Sequence, residues 1–132
     1  PALIPNFIEE VLRYAGPVMM LFRRTTADVP LSGGTIPRGE LVLALVGAAN
    51  RDPAQFPEPD RFDIHRDTRG HLAFGYGIHF CVGAPLSRLE GRIAFTELLG
   101  RTPPFARIDA RPAWGENPSL RGLRALPVRI VR

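Results

Sequence analysis

Apolar and polar positions along the chain follow two different periods. From Pro5 to Tyr14, Ile8, Val11 and Leu12 recur at helical spacing, Glu9 and Glu10 fall early, and Gly16-Pro17 closes the run. That pattern predicts an amphipathic helix with proline in its first turn. Val18 to Phe22 reads as a short apolar strand. Val29–Leu31 and Thr35-Ile36 flank Ser32-Gly33-Gly34, a hairpin signal, and Pro37-Arg38-Gly39 is a turn. Leu41 to Val46 predicts a buried strand. Residues 50–72 carry many charges and no period, the mark of a long functional or wrapping segment. Gly75 to Gly83 is a glycine-punctuated loop. Pro85 to Leu99 predicts a strong helix with Leu86, Leu89, Ile93 and Leu98 on one side and Gly100 as its cap. The remainder alternates turns with short strands and ends in Ala125 to Val131, and no internal repeat interrupts the pattern.

Composition narrows the function classes. At 132 residues the chain has the length of one domain, and with 45% hydrophobic residues it can build a core. Its longest apolar stretch, Leu41 to Ala49, falls short of the ~20 residues of a membrane span, so no membrane partner is expected. No basic region followed by an apolar run opens the chain, and a single cysteine rules out a disulfide framework. A reducing, cytoplasmic setting is expected. All 17 basic residues are arginine and the net charge is +4, a composition that suggests a GC-rich bacterial source. The arginines are dispersed from Arg13 to Arg132 without an aromatic stripe, which argues against a nucleic-acid partner. The chain opens on Pro1 and enters a helix almost at once, and reads as part of something longer.

The cysteine lies in the most unusual segment, Phe74-Gly75-Tyr76-Gly77-Ile78-His79-Phe80-Cys81-Val82-Gly83. Two glycines before Cys81 allow tight bends, and Gly83 lets the chain approach a bulky flat object. The helix that follows points its N-terminus back at the sulfur, which favours a thiolate. A buried thiolate in an apolar loop suits axial ligation of haem iron, with Phe74 and Phe80 keeping water away. Other readings stand beside it. An unpaired cysteine is commonly an inert core residue. A catalytic thiol needs a base, and His79 is close only in sequence. Zinc held by His65, His71, His79 and Cys81 lacks ligand-pair spacing.

Phe74, Gly77, Cys81 and Gly83 fit the pattern F-x-x-G-x-x-x-C-x-G, and the segment resembles the cysteine loop of the cytochrome P-450 superfamily, the haem-thiolate monooxygenases. Glu10-Val11-Leu12-Arg13 resembles that family's E-x-x-R helix, Asn50-Arg51-Asp52-Pro53 a phrase of its soluble bacterial members, and Pro59-Asp60-Arg61-Phe62 its P-x-R-F segment. Leu86-Ser87-Arg88-Leu89-Glu90 resembles the helix after the cysteine, with Ser87 where alanine is common. The resemblance covers residues 1–132 as the C-terminal third of the fold. It implies an α+β portion of a mainly α architecture: a helix, small β-sheets, the cysteine loop, a long helix and a C-terminal β-hairpin.

The resemblance implies further roles. Cys81 would ligate the iron of haem b, with Phe74, Gly75, His79 and Gly83 around the cofactor. Arg23, in preference to Arg24, would hold one propionate and His79 another. Glu10, Arg13 and Arg61 would form a buried triad, since one carboxylate can satisfy two guanidiniums. His71 is expected to be structural. Met19, Met20 and Leu21, with Ser119 and Leu120 at the hairpin tip, would touch a small organic substrate. Electrons would come from NAD(P)H through a ferredoxin or similar donor, with Arg66, Arg69, Arg88 and Arg92 as basic contacts. The oxygen-activating helix lies N-terminal to these residues, so the rest of the same polypeptide is an expected partner. The 132 residues alone are expected to be inactive, and the alternative is a non-catalytic, truncated or degenerate haem-domain fragment.

Overall fold

The structure, a computed structural model, describes residues 2–108 and 111–131, so that Arg132 lies outside it. Helix α1 spans Ile4–Ala15, with proline near its start and Gly16 at its C-terminus. Strand β1 (Leu21–Arg24) pairs antiparallel with β4 (Leu41–Ala44), and the hairpin of β2 (Val29–Leu31) and β3 (Gly34–Ile36) lies between them in sequence. A short helix α2 (Val46–Ala49) leads into the irregular segment. Helix α3 (Ala84–Arg101) follows the cysteine loop, and two further ladders close the chain: β5 (Phe105–Arg107) with β8 (Val128–Ile130), and β6 (Ala113–Trp114) with β7 (Leu123–Ala125). The expected mixture of helices and small sheets is what the chain forms.

Helix α1 crosses α3 at Gly91, where an added Cβ would stand 3.3 Å from Ile8 Cδ1. The Phe7 ring packs edge-on against Phe95 at 4.9 Å between centroids. Among the described residues the buried apolar side chains are few: Ile4, Ile8, Val46, Phe56, Ala73 and Ala84. The largest fully buried side chains are Arg13, Phe56 and Glu10, so the centre is held as much by a charge network as by apolar contact.

Three boundaries and two burial expectations need correction. The strand expected at Val18 to Phe22 starts later, at Leu21, because the backbone of 17–19 is bonded elsewhere: the Met19 amide donates to Ser119 O and the Arg121 amide to Pro17 O. Val46 belongs to α2, and Leu41 and Leu43 are exposed rather than buried, because β4 pairs with β1 alone. Gly100 does not cap α3; the helix runs to Arg101, and the Thr102 amide closes it on Leu98 O. Leu86, Leu89, Ile93 and Leu98 are exposed, because α3 turns Gly91 and Phe95 toward α1.

Candidate functional site at the Cys81 loop

The cysteine loop is a backbone-bonded bend. The Gly75 amide donates to Leu72 O, Phe80 N to Gly77 O and Cys81 N to Phe74 O at 2.9 Å. Gly75 and Gly77 have φ of 75° and 66°, the left-handed region that costs other residues about 1–2 kcal/mol, and between them the chain doubles back into a 3-10 turn at Gly77–His79. Gly83 has φ −81°, open to any residue. An added Cβ there would lie 3.6 Å from Cys81 Sγ, an ordinary contact distance, so neither the backbone nor the space around Gly83 demands glycine. The Ala84 amide at the start of α3 donates to Cys81 O, tying helix and loop together.

Cys81 is exposed, contrary to the expectation of a buried sulfur, and Phe80 is half open. The loop forms one wall only. Cys81 opens on a cleft of about 450 Å³ whose loop wall also holds Phe74, Gly75 and His79, and whose other walls are Leu12, Pro17, Val18, Leu21, Arg23, Ala73 and Ser87. Strand alternation puts Leu21 and Arg23 on the cleft side of β1. Arg24 turns away and donates to Gly39 O. Arg23, Phe74, Gly75, His79, Cys81 and Leu21 are thus brought together. Met19 is not with them: its side chain lies against Gly47 in a neighbouring cavity of about 230 Å³. Met20 is half-buried and is not among the cleft walls. Ser119 and Leu120 sit beside the cleft, where Leu120 bridges to Val18. Val18 and Ala73 carry no sequence signal as site residues, because no motif marks an apolar wall residue, and Ser87 lies in a motif of the helix after the cysteine that assigns it no role at the site. Among the described residues no three His, Cys, Asp or Glu side chains gather as a metal cluster.

Behind the loop lies the charge network. Arg13 donates to Glu10 through Nε at 2.7 Å and Nη2 at 2.8 Å, and to the carbonyls of Asn50, Pro59 and Arg61. Glu10 also accepts the Asp63 amide at 2.8 Å. Burial pushes the Glu10 carboxyl up, but hydrogen bonds from Arg13 and Asp63 and the charges of Arg13 and Arg66 hold it below the usual carboxylate range. The second guanidinium on Glu10 is not that of Arg61. Its side chain is 65% exposed and pairs with Glu58 and Asp63, contributing only its carbonyl to Arg13. Arg66 takes the place, with Nε 3.4 Å from Glu10 Oε1 and its side chain 10% exposed. The reason is local. Asp63 accepts the His65 amide and its carbonyl accepts the Arg66 amide, a turn that brings Arg66 back over Glu10. Arg66 is therefore unavailable as a docking contact. Arg69 and Arg92 are exposed, while Arg88 is bound to Glu9. His71 is buried against Glu9, as a structural histidine would be.

The same segments recur in known proteins. The model of the family described as Cytochrome P450 matches residues 2–101. The chain is 53% identical to cytochrome P450 monooxygenase PikC of Streptomyces venezuelae, covering 98% of this chain and 32% of that protein. It is 50% identical to 6-deoxyerythronolide B hydroxylase of Saccharopolyspora erythraea, covering 98% of this chain and 33% of that one. The solved structure of cytochrome P450 CYP109Q5 from Chondromyces apiculatus superimposes with TM-score 0.92 at 48% identity, over 97% of this chain and 33% of that one. The chain spans about a third of the length of the curated relatives it matches. With a family match over most of its length and a cysteine loop of the same pattern, this chain belongs to the cytochrome P450 family.

Proposed function

We propose that the whole protein is a soluble, cytoplasmic haem-thiolate monooxygenase, and that the present residues form the proximal wall of its haem site. The observation that carries this reading is the cleft at Cys81, where one thiol, one guanidinium and one imidazole meet walls that are apolar but for Ser87. That donor set fits haem b: a soft sulfur ligand for the iron, two groups for propionates, and apolar surface for the macrocycle. Cys81 would ligate through Sγ. Arg23 and His79 would hold the two carboxylates. Phe74, Val18 and Leu21 would exclude water, with Leu21 and the nearby Ser119 and Leu120 in reach of a small organic substrate. Haem bound through a thiolate supplies dioxygen activation and favours O–O cleavage. One oxygen atom would enter the substrate, and the other would leave as water with two protons and two electrons from NAD(P)H. A ferredoxin-type donor would deliver those electrons, with the exposed Arg69 and Arg92 as basic contacts.

The 132 residues alone would be inactive, because the opposite wall and the oxygen-activating groups belong to the rest of the polypeptide. The test is the reduced carbonyl spectrum of the full-length protein. The wild type should give the thiolate-type band and Cys81→Ser should lose it. A Cys81→Ser protein that keeps the band unchanged overturns the reading.

A further inference from the structure

We propose that Glu9 is a positioning residue for the Cys81 loop, acting through Arg88 and His71 to fix Phe74 and the carbonyl to which the Cys81 amide is bonded. The inference rests on the reading of Cys81 as the haem ligand. Glu9 lies on α1, outside every motif read from the sequence. Its carboxylate accepts from Arg88 through Nε and Nη2, the latter at 2.9 Å, and its Oε2 lies 2.9 Å from His71 Nε2. One side chain therefore joins α1, the end of the irregular segment and α3.

Both partners lead to Phe74. The Arg88 guanidinium carbon sits 4.7 Å from the Phe74 ring centroid, a cation–π distance. His71 Nδ1 accepts the Ala73 amide, immediately before Phe74. Because Nδ1 accepts, the proton of neutral His71 is on Nε2 and is donated to Glu9. Phe74 O in turn accepts the Cys81 amide at 2.9 Å.

The Arg88 hydrogen bonds hold the Glu9 carboxyl below its ordinary value despite burial, and Glu9 raises Arg88 in return. Both side chains are partly shielded from solvent, at 37% exposed for Arg88 and 26% for Glu9, so the pair is held more firmly than one on the open surface. Without the Glu9 charge, Arg88 is released to solvent and its stack on Phe74, one tether of the loop, is lost.

The test uses the full-length protein with Glu9→Gln, Arg88→Lys, Cys81→Ser and, as a control, Glu97→Gln in the exposed helix pair with Arg101. The readouts are the rate at which the thiolate-type reduced carbonyl converts to the thiol type, and the thermal midpoint. Loss of one partly shielded cation–π tether should speed conversion about three- to fivefold in Glu9→Gln and Arg88→Lys. Lysine keeps the charge pair, but its single ammonium cannot take the place of the guanidinium that binds Glu9 through two nitrogens while lying on Phe74, so Arg88→Lys should retain its thermal midpoint while converting faster. That split separates positioning from mere stability, and it carries the test should Glu9→Gln not fold. Conversion at the wild-type rate in Arg88→Lys, or a lowered midpoint with conversion unchanged, overturns the proposal. Cys81→Ser judges the ligand assignment separately: if it lacks the thiolate-type band while the other variants behave as wild type, only the Glu9 proposal falls.

Discussion

Replacing Glu10 by glutamine removes one charge from the most buried point of the chain and changes almost no volume. Glu10 and Arg13 are both fully enclosed, and Glu10 accepts three close hydrogen bonds, two from Arg13 and one from the Asp63 amide. Removing one partner of such a pair costs about 3–5 kcal/mol, because the other charge stays buried without compensation. An exposed pair would cost about 0–1 kcal/mol. Arg13 keeps three backbone carbonyl acceptors, which places Glu10→Gln near the lower end, about 3 kcal/mol. Native-state hydrogen exchange at the Asp63 amide of the full-length protein measures this locally. Protection there should fall about a hundredfold. A change within about twofold would show that the network contributes no more than a surface pair.

The same group sets an acid limit. The folded pKa of Glu10 lies below its ordinary value of 4.5, so its contribution is complete above that pH and is lost as pH falls through the lower folded value. Hydrogen exchange at Asp63 should report this loss below pH 4.5 in the wild type, and Glu10→Gln should flatten the dependence. Arg66→Ala should cost about 2–3 kcal/mol in stability and Arg61→Ala no more than about 1, the reverse of what the sequence pattern suggests; equal losses in denaturant unfolding would contradict the assignment. Gly77→Ala meets open space, so only its backbone conformation is penalised, by about 1–2 kcal/mol, readable as a lowered unfolding midpoint. Arg23→Gln should speed haem loss to an apo-globin acceptor, whereas Arg24→Gln, altering a side chain bonded to Gly39 O, should not.

Much of this was legible in the chain. The helix at Pro5 to Tyr14 carries its own start, face and stop, and the hairpin at Ser32-Gly33 carries its turn. The cysteine loop was legible because left-handed glycines leave a mark that few other segments imitate. Arg66 was not, because its role depends on a turn at Asp63 that swings it back by one backbone reversal, while Arg61 carries the motif and faces solvent. The face of α3 was misread for a related reason. The helix is apolar on more than one side, so periodicity alone does not tell which side meets α1; the deciding residue is Gly91, whose lack of a side chain admits Ile8. Glu9 left no signal, since its partners lie 62 and 79 residues away.

The central claim is that Cys81 Sγ binds the iron, and iron-edge X-ray absorption of the full-length protein tests it without reference to turnover. The wild type should show one sulfur in the first coordination shell, and Cys81→Ser, reconstituted with haem, should show none. A wild-type shell containing only nitrogen and oxygen, or a sulfur that persists in Cys81→Ser, would contradict the account.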